Sequence, residues 1–161
     1  MIKLDQRDLA ILRILQDEGR ITKTALAERI HLSPAPCWDR LKRLENAGII
    51  TGYGAKICLD KLGVHTTVFL QAEISSHQSQ DFSRFEDYIA QHQAISECWA
   101  IGGGFDYLLK IDVPTIDSYQ QLVDTMLNAN IGLKRYYTYI VTKRIKSKTA
   151  LPLDFLPVPD E

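Results

Sequence analysis

The sequence has little cysteine and lacks the spacing that cysteine-based sites require. No two cysteines form a CxxC pair, and the four histidines do not cluster with them. A zinc site or a disulfide framework is therefore not expected, and the sequence predicts neither a metal nor a cofactor. The three cysteines are Cys37, Cys58 and Cys98.

Long apolar runs are also missing. No stretch approaches the ~20 apolar residues that a membrane-spanning helix needs. The first residues, Met1 to Gln6, lack the apolar core of a signal peptide. We therefore expect a cytoplasmic protein without a membrane partner.

The chain carries almost no net charge, but its charge is unevenly distributed. Its 161 residues give a formal net charge of -1 at pH 7, with a globular composition of 45% hydrophobic residues. Residues 1–52 hold nine Lys/Arg and seven Asp/Glu, whereas the remainder holds ten and thirteen. This difference indicates that an anionic partner would bind the N-terminal part.

Three helices are predicted near the N-terminus. Leucine and isoleucine recur at helical spacing over residues 5–18. Thr22 is the predicted N-cap of a short second helix. Ser33 followed by Pro34 is a start signal for a third helix that runs to about Ala47. This arrangement is typical of a helix-turn-helix DNA-binding domain.

The third predicted helix has one apolar side and one polar side. A spacing of 3.6 residues places Cys37, Leu41, Leu44 and Gly48 on the side that packs against the first two helices. In a helix-turn-helix protein the opposite side enters the major groove of double-stranded DNA. The residues predicted there are Ala35, Pro36, Trp38, Asp39, Lys42 and Arg43.

Several of these side chains have two interpretations. Lys42 and Arg43 supply phosphate or guanine contacts, and Asp39 accepts from a cytosine or pairs with a cation. Arg40 lies nearer the packed side, so a structural salt bridge and a phosphate contact stay equal alternatives. Trp38 either belongs to the core or lies along the DNA. Thr22 and Lys23 stand at the start of the second helix, where phosphates often bind. The alternative is that Thr22 is an ordinary N-cap and Lys23 a solvated lysine.

The second half of the sequence changes from helical to alternating periodicity. Its elements follow the order strand, helix, strand, strand, helix, strand, which is ferredoxin-like and makes the fold class α+β. The fourth strand is predicted over about 134–146. The sheet face without helices would carry Phe69, Leu108 and Ile140, so we expect a two-fold dimer through it. Scattered exposed apolar residues are the alternative.

These patterns divide the chain into four parts. Residues 49–56 read as extended, either as a wing or as a hinge. The predicted parts are a helix-turn-helix domain over 1–52, a hinge or linker strand over 53–65, a ferredoxin-like effector-binding and oligomerisation domain over 66–150, and an irregular tail over 151–161.

A glycine-rich loop joins the second and third predicted strands. Glycines expose backbone amides that can bind a carboxylate, and Asp106 can bind an ammonium group. Together these groups suit a free amino acid. An ordinary turn is the alternative, because three glycines in a hairpin more often form only that. The loop consists of Gly102, Gly103, Gly104, Phe105, Asp106 and Tyr107.

Four stretches of the sequence resemble the Lrp/AsnC family of transcriptional regulators, the feast/famine regulators. They are the opening "LDxxDxxIL", the stretch "LSPxPCWxRLKRLExAGII", the strand "GGFDYLLKIDV" and the ending "IKSKTALPL". They span nearly the whole chain in the family's domain order. The resemblance implies a winged helix-turn-helix domain followed by the family's ferredoxin-like domain for regulating amino-acid metabolism.

The resemblance also implies functional residues. Gly103, Asp106 and Tyr107 would border an effector pocket between dimers, with Thr138 and Tyr139 contributed by a neighbouring subunit. Strand packing and interface contacts are the alternative for the tyrosines in "RYYTYI". Similar proteins form octamers, so further assembly of the dimer is expected. The recognition helix would contain Ser33, Pro34, Pro36, Trp38, Asp39, Arg40 and Arg43.

The sequence thus predicts a regulator that binds specific DNA and responds to a small effector of the amino-acid class. The alternative is an amino-acid-binding regulatory module of an enzyme, because ferredoxin-like domains also serve that role. Catalysis by the chain itself is not predicted. It offers no nucleophile with a nearby base, no metal-ligand spacing and no phosphate-binding loop.

Overall fold

A computed structural model describes residues 2–76, 78–147 and 150–153. The chain forms two compact units. One combines the N-terminal part through Lys56 with the C-terminal part from Lys146, and the other is Ile57–Ile145. Within the described ranges, no helix is long and apolar enough to cross a membrane.

The N-terminal unit contains three helices that begin and end at the predicted signals. Asp5 is the N-cap of the first helix and forms a reciprocal capping box with Asp8. The Thr22 hydroxyl accepts from the backbone N–H of Ala25 and caps the second helix. Gly48 has a φ of 69° just after the third helix, a conformation that favours glycine. The helices are α1 (Gln6–Asp17), α2 (Lys23–Arg29) and α3 (Pro34–Asn46).

The predicted packed side of α3 is confirmed for its three apolar residues. Cys37, Leu41 and Leu44 are buried against residues of the first two helices, including Ile11 and Leu26. Burying this apolar stripe fixes α3 against the other helices and leaves its opposite side in solvent.

The C-terminal segment packs on this same unit, which the sequence did not predict. Leu153 is buried, and Leu151 bonds to the Gln16 side chain of α1 through both its backbone N–H and its carbonyl. The predicted boundary at residue 150 therefore differs from the structural division after Ile145. The rest of the predicted tail, residues 154–161, lies outside the described residues.

The second unit has the predicted ferredoxin-like element order. Its sheet has the order β2-β3-β1-β4, and all three strand pairs are antiparallel. Apolar residues of β1 and β3 form one core with Phe85 of α4 and Val123 of α5. The elements are β1 (Thr66–Ile74), α4 (Ser79–Ala90), β2 (Ile95–Ala100), β3 (Tyr107–Val113), α5 (Ile116–Asn128) and β4 (Leu133–Ile140).

The strand register assigns side chains to the two faces of the sheet. Val68 is buried and pairs with Ile140, so Ile140 lies on the helix-covered face and its predicted place beside Phe69 is wrong. Phe69 pairs with Tyr139 on the opposite face. That face, which we call the open face, carries Phe69, Leu108, Trp99, Tyr137 and Tyr139.

One predicted strand, β4, is shorter than expected, and another, in the linker, is missing. β4 ends at Ile140 instead of about residue 146, and one backbone hydrogen bond continues beyond it, from the Val141 N–H to the Thr67 carbonyl. The predicted linker strand over 53–65 is wrong. That segment contains only a 3₁₀-helix, Leu59–Lys61, and no other described strand pairs with it.

Candidate functional site

The predicted DNA-facing side of α3 is exposed to solvent. Pro34 occupies the first turn, and Ser33 precedes it in an extended conformation without a side-chain cap bond. Because the apolar side is buried, a polar strip is left along the helix. The exposed residues of this strip are Ser33, Pro34, Ala35, Pro36, Asp39, Lys42 and Arg43.

Two arginines of α3 form ion pairs with carboxylates of the first helix. Arg40 Nη1 lies 2.5 Å from Asp5 Oδ2 and 2.9 Å from Asp8 Oδ1, so it makes the salt bridge that was one of its two interpretations. Arg43 also pairs with Asp8, although 45% of its side chain stays exposed. Asp8 is fully buried. These pairs join α3 to the N-terminus of α1.

Sequence reasoning missed the role of Asp8. The signal for it was the spacing of three residues between Asp5 and Asp8, which is the spacing of a capping box. Burial opposes ionisation of Asp5, but the Asp8 backbone N–H and Arg40 outweigh it, so the pKa of Asp5 lies below its usual value. The Asp5 carboxylate is therefore negatively charged at neutral pH.

Trp38 lies half-buried between the core and the exposed strip. Its ring is contacted by the ammonium groups of Lys23 and Lys42, at 3.1 Å and 4.9 Å from the ring centroid. Lys42 also lies 3.6 Å from Glu45. The structure thus brings together three predicted site residues from two helices, beside the capping Thr22.

Two further groups of this unit have raised pKa values. Burial and the Glu45 carboxylate, which accepts a hydrogen bond from the phenol, raise the pKa of Tyr53 to about 12. Burial raises the pKa of the Cys37 thiol, which keeps it protonated and unreactive at neutral pH. The thiol therefore acts as a packing group beneath the exposed strip.

The glycine-rich loop connects β2 to β3 as predicted. Gly103 has a φ of 143°, which only glycine adopts readily, and all three glycines are exposed. Asp106 follows them and holds the adjacent strand. Its Oδ2 accepts from the Ile74 backbone N–H at 2.8 Å, at the irregular end of β1, and its own N–H donates to Ala72.

The first residue of β3, on the helix-covered side of the sheet, is also held in place. Tyr107 is buried and its hydroxyl donates to Glu86 of α4 at 2.7 Å. Burial and this carboxylate raise the pKa of Tyr107 far above its usual value, so it stays a neutral donor. Sequence reasoning missed Glu86. A groove of ≈ 490 Å³ beside this pair includes Phe82, Ile101 and Asp106.

The predicted effector residues of β4 lie on opposite faces of the sheet. Thr138 pairs with Leu70 on the helix-covered face and bonds to the Tyr119 hydroxyl at 2.5 Å. Tyr139 points to the open face, where its hydroxyl donates to Gln71. The two side chains therefore do not face one common pocket within a single chain.

The described residues contain no group of three or more His, Cys, Asp or Glu side chains placed to hold a metal ion. The three cysteines are unpaired, with Cys37 buried and the other two exposed. The arrangement that remains is a helix-turn-helix unit with a polar recognition strip and a separate α+β unit. It defines a DNA-binding regulator with a second domain for control.

Family comparisons agree with this class. Residues 4–51 match the model of the winged helix-turn-helix DNA-binding domain, and residues 67–151 match the Lrp/AsnC ligand-binding domain. The chain belongs to the Lrp/AsnC family and is a DNA-binding transcriptional regulator with a ligand-binding domain. Its named relatives are transcriptional regulators, in agreement with the prediction that the chain is not an enzyme.

Individual relatives are similar over nearly their whole length. The transcriptional regulatory protein DoeX of Halomonas elongata is 50% identical over 92% of this chain and 94% of its own. The leucine-responsive regulatory protein of Escherichia coli K12 is 35% identical over 92% of this chain and 90% of its own. A transcriptional regulator of Neisseria meningitidis, solved as a complex with L-Met, has 32% identity and a TM-score of 0.87 over 94% of this chain and 98% of its own.

Proposed function

We propose that this regulator binds a specific double-stranded DNA site through α3 and is controlled by a free amino acid. The observation that carries the DNA part is the exposed polar strip of α3, which bears Lys42 and the exposed part of Arg43. Cations on a fixed helix suit phosphates and guanine edges. The residues proposed to form the DNA-binding surface, by contact or by positioning a contacting side chain, are Thr22, Lys23, Ser33, Pro34, Ala35, Pro36, Trp38, Asp39, Arg40, Lys42 and Arg43.

Arg40 has a smaller part in this surface than the other cations. Its guanidinium is shared by Asp5 and Asp8, so its charge is largely compensated before DNA arrives. Arg43 keeps one carboxylate partner and a side chain that is 45% exposed, which leaves donors for a phosphate. We therefore propose that Arg43 makes the stronger contact with DNA and that Arg40 contributes only a peripheral phosphate contact.

The effector is an amino acid bound at the glycine-rich loop. The L-Met complex of the Neisseria regulator supports this ligand class. Exposed backbone amides of the loop suit the carboxylate, and Asp106 suits the ammonium group. The binding residues are Gly102, Gly103, Gly104, Phe105, Asp106 and Tyr107, with Thr138 and Tyr139 from a neighbouring subunit.

The active form is a homo-oligomer that acts on DNA in the cytoplasm without a cofactor. The open face of the sheet, with Trp99 and Tyr139 each about half exposed, supports a two-fold dimer. The two recognition helices of such a dimer suit half-sites about one helical turn apart. Further assembly, to an octamer, would place effector pockets between dimers, where a ligand shifts the assembly equilibrium.

Fluorescence anisotropy tests this proposal directly. A labelled duplex from the region upstream of the protein's own coding sequence is titrated at two salt concentrations, with a scrambled duplex and a panel of common amino acids. We expect preference for the native duplex, weaker binding at higher salt, and a shift with one amino acid. No preference under any condition would overturn the DNA-binding proposal.

A pair of variants locates the contact. Arg43→Ala is expected to weaken DNA binding while the dimer stays intact in sedimentation. Lys134→Ala is the matched control, because this exposed lysine belongs to the ligand-binding unit, where it pairs with Glu73. Equal affinities of the two variants would remove Arg43 from the contact surface.

A further inference from the structure

Trp38 contacts two lysine side chains from different helices. The Nζ atom of Lys23, at the start of α2, lies 3.1 Å from the indole centroid, and that of Lys42, on α3, lies 4.9 Å away. The two ammonium groups are therefore within about 8 Å of each other, close enough for like charges to repel. The negative face of an indole attracts both cations and offsets this repulsion.

Lys23 differs from the neighbouring cations in having no acidic partner. Arg29 pairs with Glu18 at 2.5 Å, and Arg40 pairs with two aspartates. Among the described residues, Lys23 forms neither an ion pair nor a hydrogen bond, and its ammonium group lies over the indole ring. An indole carries no net charge, so it holds the ammonium group in place without neutralising it.

The ring itself is fixed. Trp38 is half-buried and packs against the apolar cluster of the N-terminal unit, which also contains Leu26 and Leu41. A ring held by the core orients long lysine side chains that would otherwise sample many rotamers. The three residues Lys23, Trp38 and Lys42 form what we call the Trp38 cluster.

We propose that Trp38 is a positioning residue that holds Lys23 and Lys42 as a paired site for a DNA phosphate, and that it does not itself contact a base. This inference rests on the proposed DNA-binding function. A phosphate oxyanion between two held ammonium groups removes their mutual repulsion and needs little further ordering of either side chain. The cluster thus joins α2 to α3 in contacting one stretch of DNA backbone.

A double-mutant cycle tests this role. Trp38→Leu keeps an apolar side chain against the core but removes the aromatic face. We expect it to weaken DNA binding roughly fivefold at low salt, which corresponds to the cost of ordering one released lysine side chain again on binding. The slope of log affinity against log salt should also become shallower, because fewer counterions are released. In the Lys23→Met, Lys42→Met background, Trp38→Leu should change neither quantity.

The remaining variants separate positioning from folding. Trp38→Phe restores a weaker aromatic face, so it should recover part of the affinity. Leu12→Ala, another partly buried residue of the same apolar cluster, should lower thermal stability but leave the salt slope unchanged. Equal losses from Trp38→Leu with and without the lysines would mean that the indole contacts DNA directly and would overturn the inference. Failure of the wild-type protein to prefer its duplex would instead overturn the proposed function.

Discussion

Asp8 is the residue whose removal we expect to destabilise the DNA-binding unit most specifically. Its carboxylate is fully buried, bonds to Arg40 at 2.9 Å and to Arg43, and accepts from the Asp5 backbone N–H at 3.0 Å. Asp8→Ala removes all of these contacts at once. The same change leaves the backbone and the exposed strip of α3 intact.

The magnitude follows from how exposed the remaining partners are. Breaking a buried ion pair costs about 3–5 kcal/mol when the partner charge stays buried. Here Arg40 is 27% exposed and keeps Asp5 at 2.5 Å, and Arg43 is 45% exposed, so both can be hydrated. Adding the hydrogen bond that the Asp5 backbone N–H loses, at about 1 kcal/mol, we expect a net loss of about 2–3 kcal/mol. Asp8→Asn should cost at least as much, because amide N–H groups would face the guanidinium donors.

Urea denaturation followed by tryptophan fluorescence measures this loss. The chain has two tryptophans, and in a Trp99→Phe background the remaining Trp38 reports on the N-terminal unit. Asp39→Ala is the matched control, because this exposed aspartate of α3 should change the free energy of unfolding by no more than about 0.5 kcal/mol. If Asp8→Ala stayed within that same range, the reasoning from the buried ion-pair cluster would be refuted.

Three further predictions concern other contacts. Asp106→Asn keeps an oxygen that accepts from the Ile74 N–H but loses the charge. It should therefore abolish the amino-acid response in the anisotropy assay with little loss of stability. Asp106→Ala should lose both the amino-acid response and stability. The pKa of Asp5 is lowered on folding, so its contribution to stability is present above about pH 3.8 and is lost as the pH falls through the pKa of the folded state. Asp5→Asn should therefore flatten the acid side of the stability–pH curve measured by urea denaturation. Leu153→Ser should lower the melting temperature of the N-terminal unit by exposing its apolar groove, with the exposed Leu151→Ser as a milder control in calorimetry.

Most secondary structure could be predicted because it depends on local signals. The Thr22 cap, the Ser33–Pro34 start of α3 and the Gly48 stop all act within one turn of a helix. The alternating pattern of β3 likewise reflects burial of every second residue. Such features need no knowledge of the rest of the chain.

The errors occurred where the answer depends on distant residues. The face on which Ile140 lies is set by its register with β1, which an irregularity between Glu73 and Ile74 shifts. Arg40 could not be assigned from its helix position alone, because its partners, Asp5 and Asp8, belong to another helix.

The candidate site could be predicted only in part, because some of its contacts join residues that are distant in the sequence. The exposed strip of α3 follows from periodicity, and its solvent exposure is confirmed. The contact of Lys23 with Trp38 requires the packing of α2 against α3, which no spacing rule supplies. The contact of Lys42 with Trp38 lies within α3, between residues four positions apart. The DNA and effector roles of the individual residues stay predictions.

The packing of Leu153 on the N-terminal unit has a consequence for the order in which the protein is made. A ribosome synthesises α1 to α3 first, then the whole ligand-binding unit, and only then the segment that covers the apolar groove beside α1. N-terminal regions generally begin to fold during synthesis. In this chain the DNA-binding unit reaches its final packing last. A nascent chain therefore completes its DNA-binding unit only after its ligand-binding unit has been synthesised.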